Sequence, residues 1–263
     1  MCYKPAMLFT TTFNEAAWAL PLVAAPFIGS FLGVLILRLP AQEPVVISRS
    51  ACSNCGAALG PIDLMPLLSF AVLRGRCRHC DRFIGWFYPA VELSALGVAA
   101  WAVFASETQQ QVWFGSLLGW TLLALAWIDV RSFLLPDILT LPLLLVGLGL
   151  AILTAPDQVF WHALGAAVGY SALYGINILY RMLRGRDGLG LGDAKLLGAA
   201  GAWLGVSALP WIILLAALGG LAFAAAAALA GRTMRANTAL PFGAFLAGAF
   251  WLYWLYGPSW NLT

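Results

Sequence analysis

The sequence predicts an all-α polytopic membrane protein, with about eight transmembrane helices and a small zinc-binding loop domain. Three observations carry that reading. Of 263 residues, 62% are hydrophobic and only 10% charged, a balance that no water-soluble globular domain shows. Several windows supply the ~20 mainly apolar residues that a helix needs to cross a bilayer. Lysines and arginines gather in alternate loops, as they do where charge sets orientation across a membrane.

The spans are read at 15–38, 88–105, 112–128, 134–153, 158–180, 191–206, 208–230 and 240–257. The first is expected to be a retained span and not a removed signal, because Arg38 follows its apolar run "APFIGSFLGVLILRLP" instead of preceding it. The sixth and seventh nearly touch at "GVSALP", so a count of seven stays open. Arg38, Arg49, Arg74, Arg76, Arg78 and Arg82 lie in the first loop, Arg131 in the third, Arg181, Arg184 and Arg186 in the fifth, Arg232 and Arg235 in the seventh. The loops at 106–111, 154–157 and 206–208 have no Lys or Arg. The odd loops are therefore expected in the cytoplasm and both termini outside it. The net charge of +3 then reflects topology, and a nucleic-acid partner is not expected.

Three units follow: a first span at 1–39, a cytoplasmic loop domain at 40–87 and a membrane domain at 88–263. The loop contains "CSNC" (Cys52, Cys55) and "CRHC" (Cys77, Cys80). Two C-x2-C pairs at this separation suit one tetrahedral Zn²⁺ held by four thiolates. A reducing compartment favours metal over disulfides, and metal binding would supply the folding energy of a loop too small for its own core. His79 lies inside the second pair and is read as a bystander, since four thiolates complete the shell. Cys2 falls across the membrane and is read as unrelated.

Carboxylates at or inside spans are costly and therefore functional candidates. Glu92, Asp129, Asp137 and Asp193 all fall at cytoplasmic span ends and could converge on one layer. Glu92 also reads as a helix first-turn carboxylate or a partner for a loop arginine, and Asp137, after Pro136, as a helix-start residue. Asp129 could instead pair with Arg131, and Asp193 could cap its span or pair with Lys195. Around Asp193 the stretch "GLGLGDAK" alternates Gly188, Gly190 and Gly192 with leucines, which allows close approach of another chain. It is not the G-x-G-x-x-G of a nucleotide loop. Two carboxylates sharing a proton can activate water and polarise a carbonyl, which is aspartic-protease chemistry. Spacing alone leaves open whether Asp129 or Asp137 partners Asp193. His79 and His162 are placed badly for a Ser or Cys nucleophile, and no H-E-x-x-H occurs.

The segments "GSFLGVLILRLP", "SRSACSNCG", "DLMPLLSFAVLRGRCRHC", "WFYPAVEL", "IDVRSFLLPDILTLP", "GLGDAKLLGAAGAWLG" and "PFGAFLA", in this order, closely resemble the type IV prepilin peptidases. The resemblance implies a bifunctional bacterial inner-membrane enzyme that cleaves the leader of prepilins and pseudopilins and N-methylates the new terminus with S-adenosyl-L-methionine. It implies Asp129 and Asp193 as the catalytic pair and Cys52, Cys55, Cys77 and Cys80 as zinc ligands. The G-x-G-D element is also similar to that of presenilin-type proteases. Gly33, Ser53 and Phe87 depart from the family's usual Asn, Pro and Arg, and the first and last of these changes fall in the part tied to methylation. Against this stand two other readings, an ion-coupled transporter and a non-catalytic secretion-system scaffold. A transporter usually carries its charges near the midplane or in repeated halves, and neither is seen here.

Overall fold

Helix limits follow local chemistry. In the computed structural model, which describes residues 18–45, 50–185, 190–231 and 240–257, α1 (Leu20–Arg38) begins with Pro21 in its first turn, where the missing N–H costs nothing. The helices α2 (Leu68–Val72) and α3 (Phe87–Ala105) follow. α4 (Gln109–Ser132) is started by a capping box: the Gln111 N–H donates to the Thr108 hydroxyl at 3.3 Å, and the Thr108 N–H donates to the Gln111 side chain at 3.1 Å. α4 stops at Phe133, whose φ of 53° is left-handed. Next come α5 (Asp137–Thr154), α6 (Val159–Arg184), α7 (Leu191–Leu204), α8 (Leu209–Leu229) and α9 (Phe242–Tyr256). Cys2, Glu15, Arg49, Arg186, Gly188, Arg232 and Arg235 lie outside the described residues.

Each of the eight expected spans corresponds to a helix, but they are not equivalent. Among the described residues six helices are long and apolar enough to cross a membrane. α7 has 14 residues and α9 has 15, which at ~1.5 Å per residue fall short of a ~30 Å hydrocarbon core. The sixth span, expected at 191–206, ends at Leu204: Gly205 has a φ of 77°, and a 3-10 turn at Val206–Ala208 separates α7 from α8.

α4 joins two packed groups. One side of it, through Trp120, Ala124 and Ile128, meets Ala25, Leu32 and Ile36 of α1 and Val91, Ala95 and Ala99 of α3. Its other side, through Leu118, Leu122 and Leu125, meets the group formed by α5, α7, α8 and α9. Indole N–H groups need partners where water is scarce, and several bridge helices: Trp120 to the Ala95 carbonyl at 2.9 Å, Trp203 to Leu143 at 2.8 Å, Trp251 to Gly115 at 3.0 Å and Trp101 to the Tyr256 hydroxyl at 2.6 Å.

Small residues bring α6 against α7. A Cβ on Gly165 would lie 2.7 Å from the Gly201 carbonyl oxygen, and one on Gly169 would lie 2.6 Å from that of Leu197. Backbones pack this closely only through small side chains, as in membrane helix pairs generally. With this antiparallel register Asp193 is level with Leu173, so α6 runs on for about 16 Å to Arg184. The start of α7 is therefore recessed from the end of α6.

Gly201→Val is expected to force α6 and α7 apart and to destabilise the protein by about 1–3 kcal/mol. Thermal unfolding of the detergent-solubilised variant, followed by circular dichroism, checks this, and an unchanged midpoint would contradict the packing described.

Candidate active site

Three helix ends converge on one point. Asp129 lies in the last turn of α4, Asp193 in the first turn of α7, and Gly243 in the first turn of α9. A Cβ built on Gly243 would sit 2.9 Å from Asp193 Oδ1 and 3.0 Å from Asp129 Oδ2. The two carboxylates thus converge on the Gly243 Cα, too closely for a methyl group to stand between them. Both are nearly sealed from the surface, 5% and 7% exposed.

The two positions differ electrostatically. Asp193 sits at a helix N-terminus, where a negative charge is favoured, whereas Asp129 sits at a C-terminus, where it is opposed. α9 compensates: the Ala244 N–H donates to Asp129 Oδ2 at 2.9 Å, across 115 residues of sequence. The Asp193 N–H donates to the Gly190 carbonyl at 3.1 Å, which closes the first turn of α7. Leu135, in the α4–α5 connection, fills the remaining side: its Cβ would lie 2.6 Å from a Cβ on Gly192, and its Cδ1 2.8 Å from one on Gly243.

The other sequence candidates lie elsewhere. Asp137 pairs with Lys195, Oδ1 to Nζ at 2.5 Å, and makes no helix cap with its side chain. The alternatives of Asp193 bonded to Lys195, or acting as the cap of α7, do not occur; Gly190 holds the N-cap position. Arg131 stacks over the Phe87 ring, 4.8 Å from its centroid. Glu92 is buried where α3 crosses α1, and its carboxylate accepts the Leu67 N–H at 2.8 Å. His162 Nδ1 lies 2.9 Å from the Ala202 carbonyl oxygen, at the far end of α7 from Asp193.

The four cysteines form a second centre. Their sulfurs lie within 4.8 Å of one another, and Cys52 Sγ is 3.9 Å from Cys80 Sγ. A tetrahedral ion with ~2.3 Å metal–sulfur bonds requires sulfurs about 3.8 Å apart. The two halves repeat one design. Gly56 N–H donates to the Cys52 carbonyl and Asp81 N–H to that of Cys77, both at 2.9 Å. Isolated bridges close each turn, between Ala51 and Ala58 and between Arg76 and Phe83. Gly56 and Asp81 occupy the same position with φ of 70° and 54°.

Backbone N–H groups of Cys55 and Asn54 bring the Cys52 thiol down to about 6, and the Arg82 N–H, then Asn54, lower that of Cys80. Cys55, in spite of the Ala57 N–H, is pushed up to about 11 by desolvation and by the adjoining Cys52, Cys80 and Cys77 thiols. Four thiols crowded together resist full ionisation without a cation, and a divalent ion relieves that repulsion. The residues present fit a four-thiolate metal site. His79 is exposed and outside the cluster.

Comparison with known proteins bears on both centres. The family model of the bacterial peptidase A24 N-terminal domain matches residues 23–106, and that of the type IV leader peptidase family matches residues 116–225. The chain belongs to the type IV leader peptidase family. The first match encloses the four cysteines and Glu92, and the second encloses Asp129 and Asp193. A prepilin leader peptidase/N-methyltransferase of Burkholderia pseudomallei (strain K96243) is 45% identical over 211 residues, covering 80% of this chain and 67% of its own. One from Aeromonas hydrophila is 38% identical over 266 residues, covering 90% of each chain. One from Pseudomonas aeruginosa is 35% identical over 258 residues, covering 88% of each. No solved structure matches. This leader peptidase family member is accordingly a multi-pass membrane enzyme.

Sequence reasoning did not single out Gly243, Ala244 or Leu135 as site residues. The segments "PFGAFLA" and "IDVRSFLLPDILTLP" contain them, but nothing local in either stretch says that it meets Asp193.

The purified protein is expected to carry one tightly held metal ion per chain, measured by elemental analysis, and Cys52→Ser or Cys77→Ser is expected to reduce that content by more than half. Wild-type protein purified without chelators and free of metal would contradict the site.

Proposed function

We propose that this enzyme cleaves the leader from type IV prepilin or pseudopilin precursors with Asp129 and Asp193, on the cytoplasmic side of the bacterial inner membrane. The observation that carries the reading is the convergence of both carboxylates on the backbone of Gly243. In the hydrolysis, one carboxylate takes a proton from water as the oxygen attacks the scissile carbonyl carbon. The other, protonated, donates to the carbonyl oxygen; collapse of the tetrahedral species returns a proton to the leaving nitrogen. Gly243, having no side chain, lets the two carboxylates come to one point. The Ala244 N–H orients Asp129, and Gly192, also without a side chain, lets Leu135 pack beside Asp193.

The cytoplasmic placement rests on the basic loops. Arg38, Arg131, Arg181 and Arg184 all lie at the same ends of their helices as Asp129 and Asp193, which the positive-inside rule assigns to the cytoplasm. A precursor with a basic leader and an apolar helix would then keep that helix in the bilayer while its leader junction reaches the site. The proposed units are the first span at 1–39, the four-cysteine domain at 40–87 and the peptidase domain at 88–263. Zn²⁺ is the ion proposed for Cys52, Cys55, Cys77 and Cys80; four protein ligands leave no open position for water, so its role is structural.

Methylation of the new terminus, with S-adenosyl-L-methionine as donor, is proposed from the names of the relatives. No residue is assigned to that donor.

Cleavage of a purified prepilin in liposomes tests the dyad. Asp129→Asn and Asp193→Asn are each expected to lower kcat by roughly 10²-fold or more, as loss of a general acid or base does, with melting close to wild type. Asp137→Asn is expected to retain cleavage, and if either dyad variant also does so the dyad assignment is wrong. A separate expectation concerns Gly243→Ala, whose added methyl would displace a carboxylate: kcat falls at least ~10-fold with little change in KM. The added Leu135→Ala substitution, which removes the other close contact, should not restore the rate.

A further inference from the structure

The stretch 62–72 lies between the two cysteine turns and presents large apolar side chains that none of the described elements covers. Ile62, Leu64, Met65, Leu68 and Val72 are all exposed, Val72 by 78%. In water such a cluster would be costly, and its position relative to the helices bears on what covers it.

Glu92 fixes that position. Its carboxylate accepts the Leu67 N–H at 2.8 Å, and its Cα would lie 2.6 Å from a Cβ on Gly29. Gly29 precedes Arg38 by nine residues, which puts the Glu92 Cα about 13 Å inside the end of α1. A glutamate side chain is much shorter than that distance. The Leu67 backbone therefore lies below the level of Arg38, alongside the membrane-spanning part of α1 and α3.

The surroundings match a boundary between water and lipid. Phe70, Phe83 and Trp86 pack ring against ring, with centroids 5.1 to 6.3 Å apart, where α3 begins. Aromatic side chains gather at that level in membrane proteins. Asp63 is the one acidic residue of the stretch. Its carboxylate accepts Arg78 Nε at 2.8 Å and the Gly60 N–H at 3.2 Å, and these partners hold it below the usual carboxylate range. Arg74, Arg76, Arg78 and Arg82 are exposed around the rim, where guanidinium groups meet anionic headgroups.

We propose that residues 62–72 form a wedge that enters the leaflet beneath the four-cysteine module, with Ile62, Leu64, Met65, Leu68 and Val72 among the acyl chains and Glu92 setting its depth. Phe31 of α1 and Leu93 of α3, two residues from Gly29 and one from Glu92, are also exposed, so the wedge lies at a level where these helices face lipid, and lipid is its occupant. The module is then held flat on the membrane at three places: the end of α1, the start of α3 and the wedge between them.

Depth-dependent quenching tests this in the full-length protein. A fluorescent amino acid is inserted during translation at Leu68, at Val72 or at Ser53 on the first cysteine turn, and the protein is placed in liposomes whose lipids carry a nitroxide at a shallow or a deep acyl position. Labels at Leu68 and Val72 are expected to be quenched several-fold more than at Ser53, at every protein-to-lipid ratio. Equal quenching at the three sites would overturn the proposal. So would shielding of Leu68 and Val72 that grows only as protein is concentrated, since a second copy would then be the cover. In Glu92→Ala, with metal content retained, the Leu68 label should move from the deep quencher to the shallow one. Glu92→Gln keeps an acceptor for Leu67 and should preserve the depth. An unchanged depth in Glu92→Ala would remove Glu92 from its assigned role.

Discussion

A carboxylate in the last turn of a membrane helix meets unfavourable surroundings, since the final carbonyls of that helix point toward it. Asp129 is in that position, and the first turn of α9 supplies the N–H that makes it tolerable. Much else at the site depends on this pairing. α9 has to begin beside the end of α4, which makes α9 short, and its second residue must be a glycine because both carboxylates crowd that spot. The helix start that stabilises one aspartate also sets the gap to the other.

Asp193 is placed by packing instead. α7 cannot slide along α6, because Gly165, Gly169, Gly198 and Gly201 let the two backbones touch at several successive levels. Nor can it rotate freely: Trp203 fits against Gly147 and donates to the Leu143 carbonyl of α5. The Lys195–Asp137 pair ties the other end of α7 to the start of α5. Partly exposed ion pairs contribute little to stability, so this pair acts on register more than on energy. A helix of 14 residues held at three levels presents its first-turn carboxylate with little freedom.

How legible these features were depends on sequence distance. The cysteine turns were readable because each ligand pair and its spacing sit within a few residues, although only the first is followed by a glycine, Gly56, where the second has Asp81. Asp129 and Asp193 were readable as costly charges beside apolar runs, and resemblance alone separated Asp129 from Asp137. The structure adds a physical ground for that separation, since Asp137 is engaged by Lys195, whereas the carboxylates nearest Gly243 are those of Asp193 and Asp129. Gly243, Ala244 and Leu135 were not legible, because their importance comes from contacts across fifty to more than a hundred residues and from a shape that no local pattern encodes. Hydropathy also does not fix helix ends: α9 begins only after Pro241, and α7 stops before Gly205 and the 3-10 turn.

Two kinds of physics hold the two centres together, and they respond differently to change. Among the described residues the cysteine module has a short helix, two isolated bridges and an aromatic trio of its own, so an ion held by the four cysteines would relieve the repulsion among thiolates and add to its stability. The pair of aspartates is held by packing and hydrogen bonds. It is made from helix ends rather than helix middles, and helix ends carry N–H groups that no carbonyl of the same helix accepts. An extended peptide entering between the α4–α5 connection and the starts of α7 and α9 meets such groups together with glycines that allow its backbone close. That arrangement suits hydrolysis of a peptide bond at the junction between a polar leader and an apolar helix, where the chain must be extended on one side of the bond and remain helical in lipid on the other.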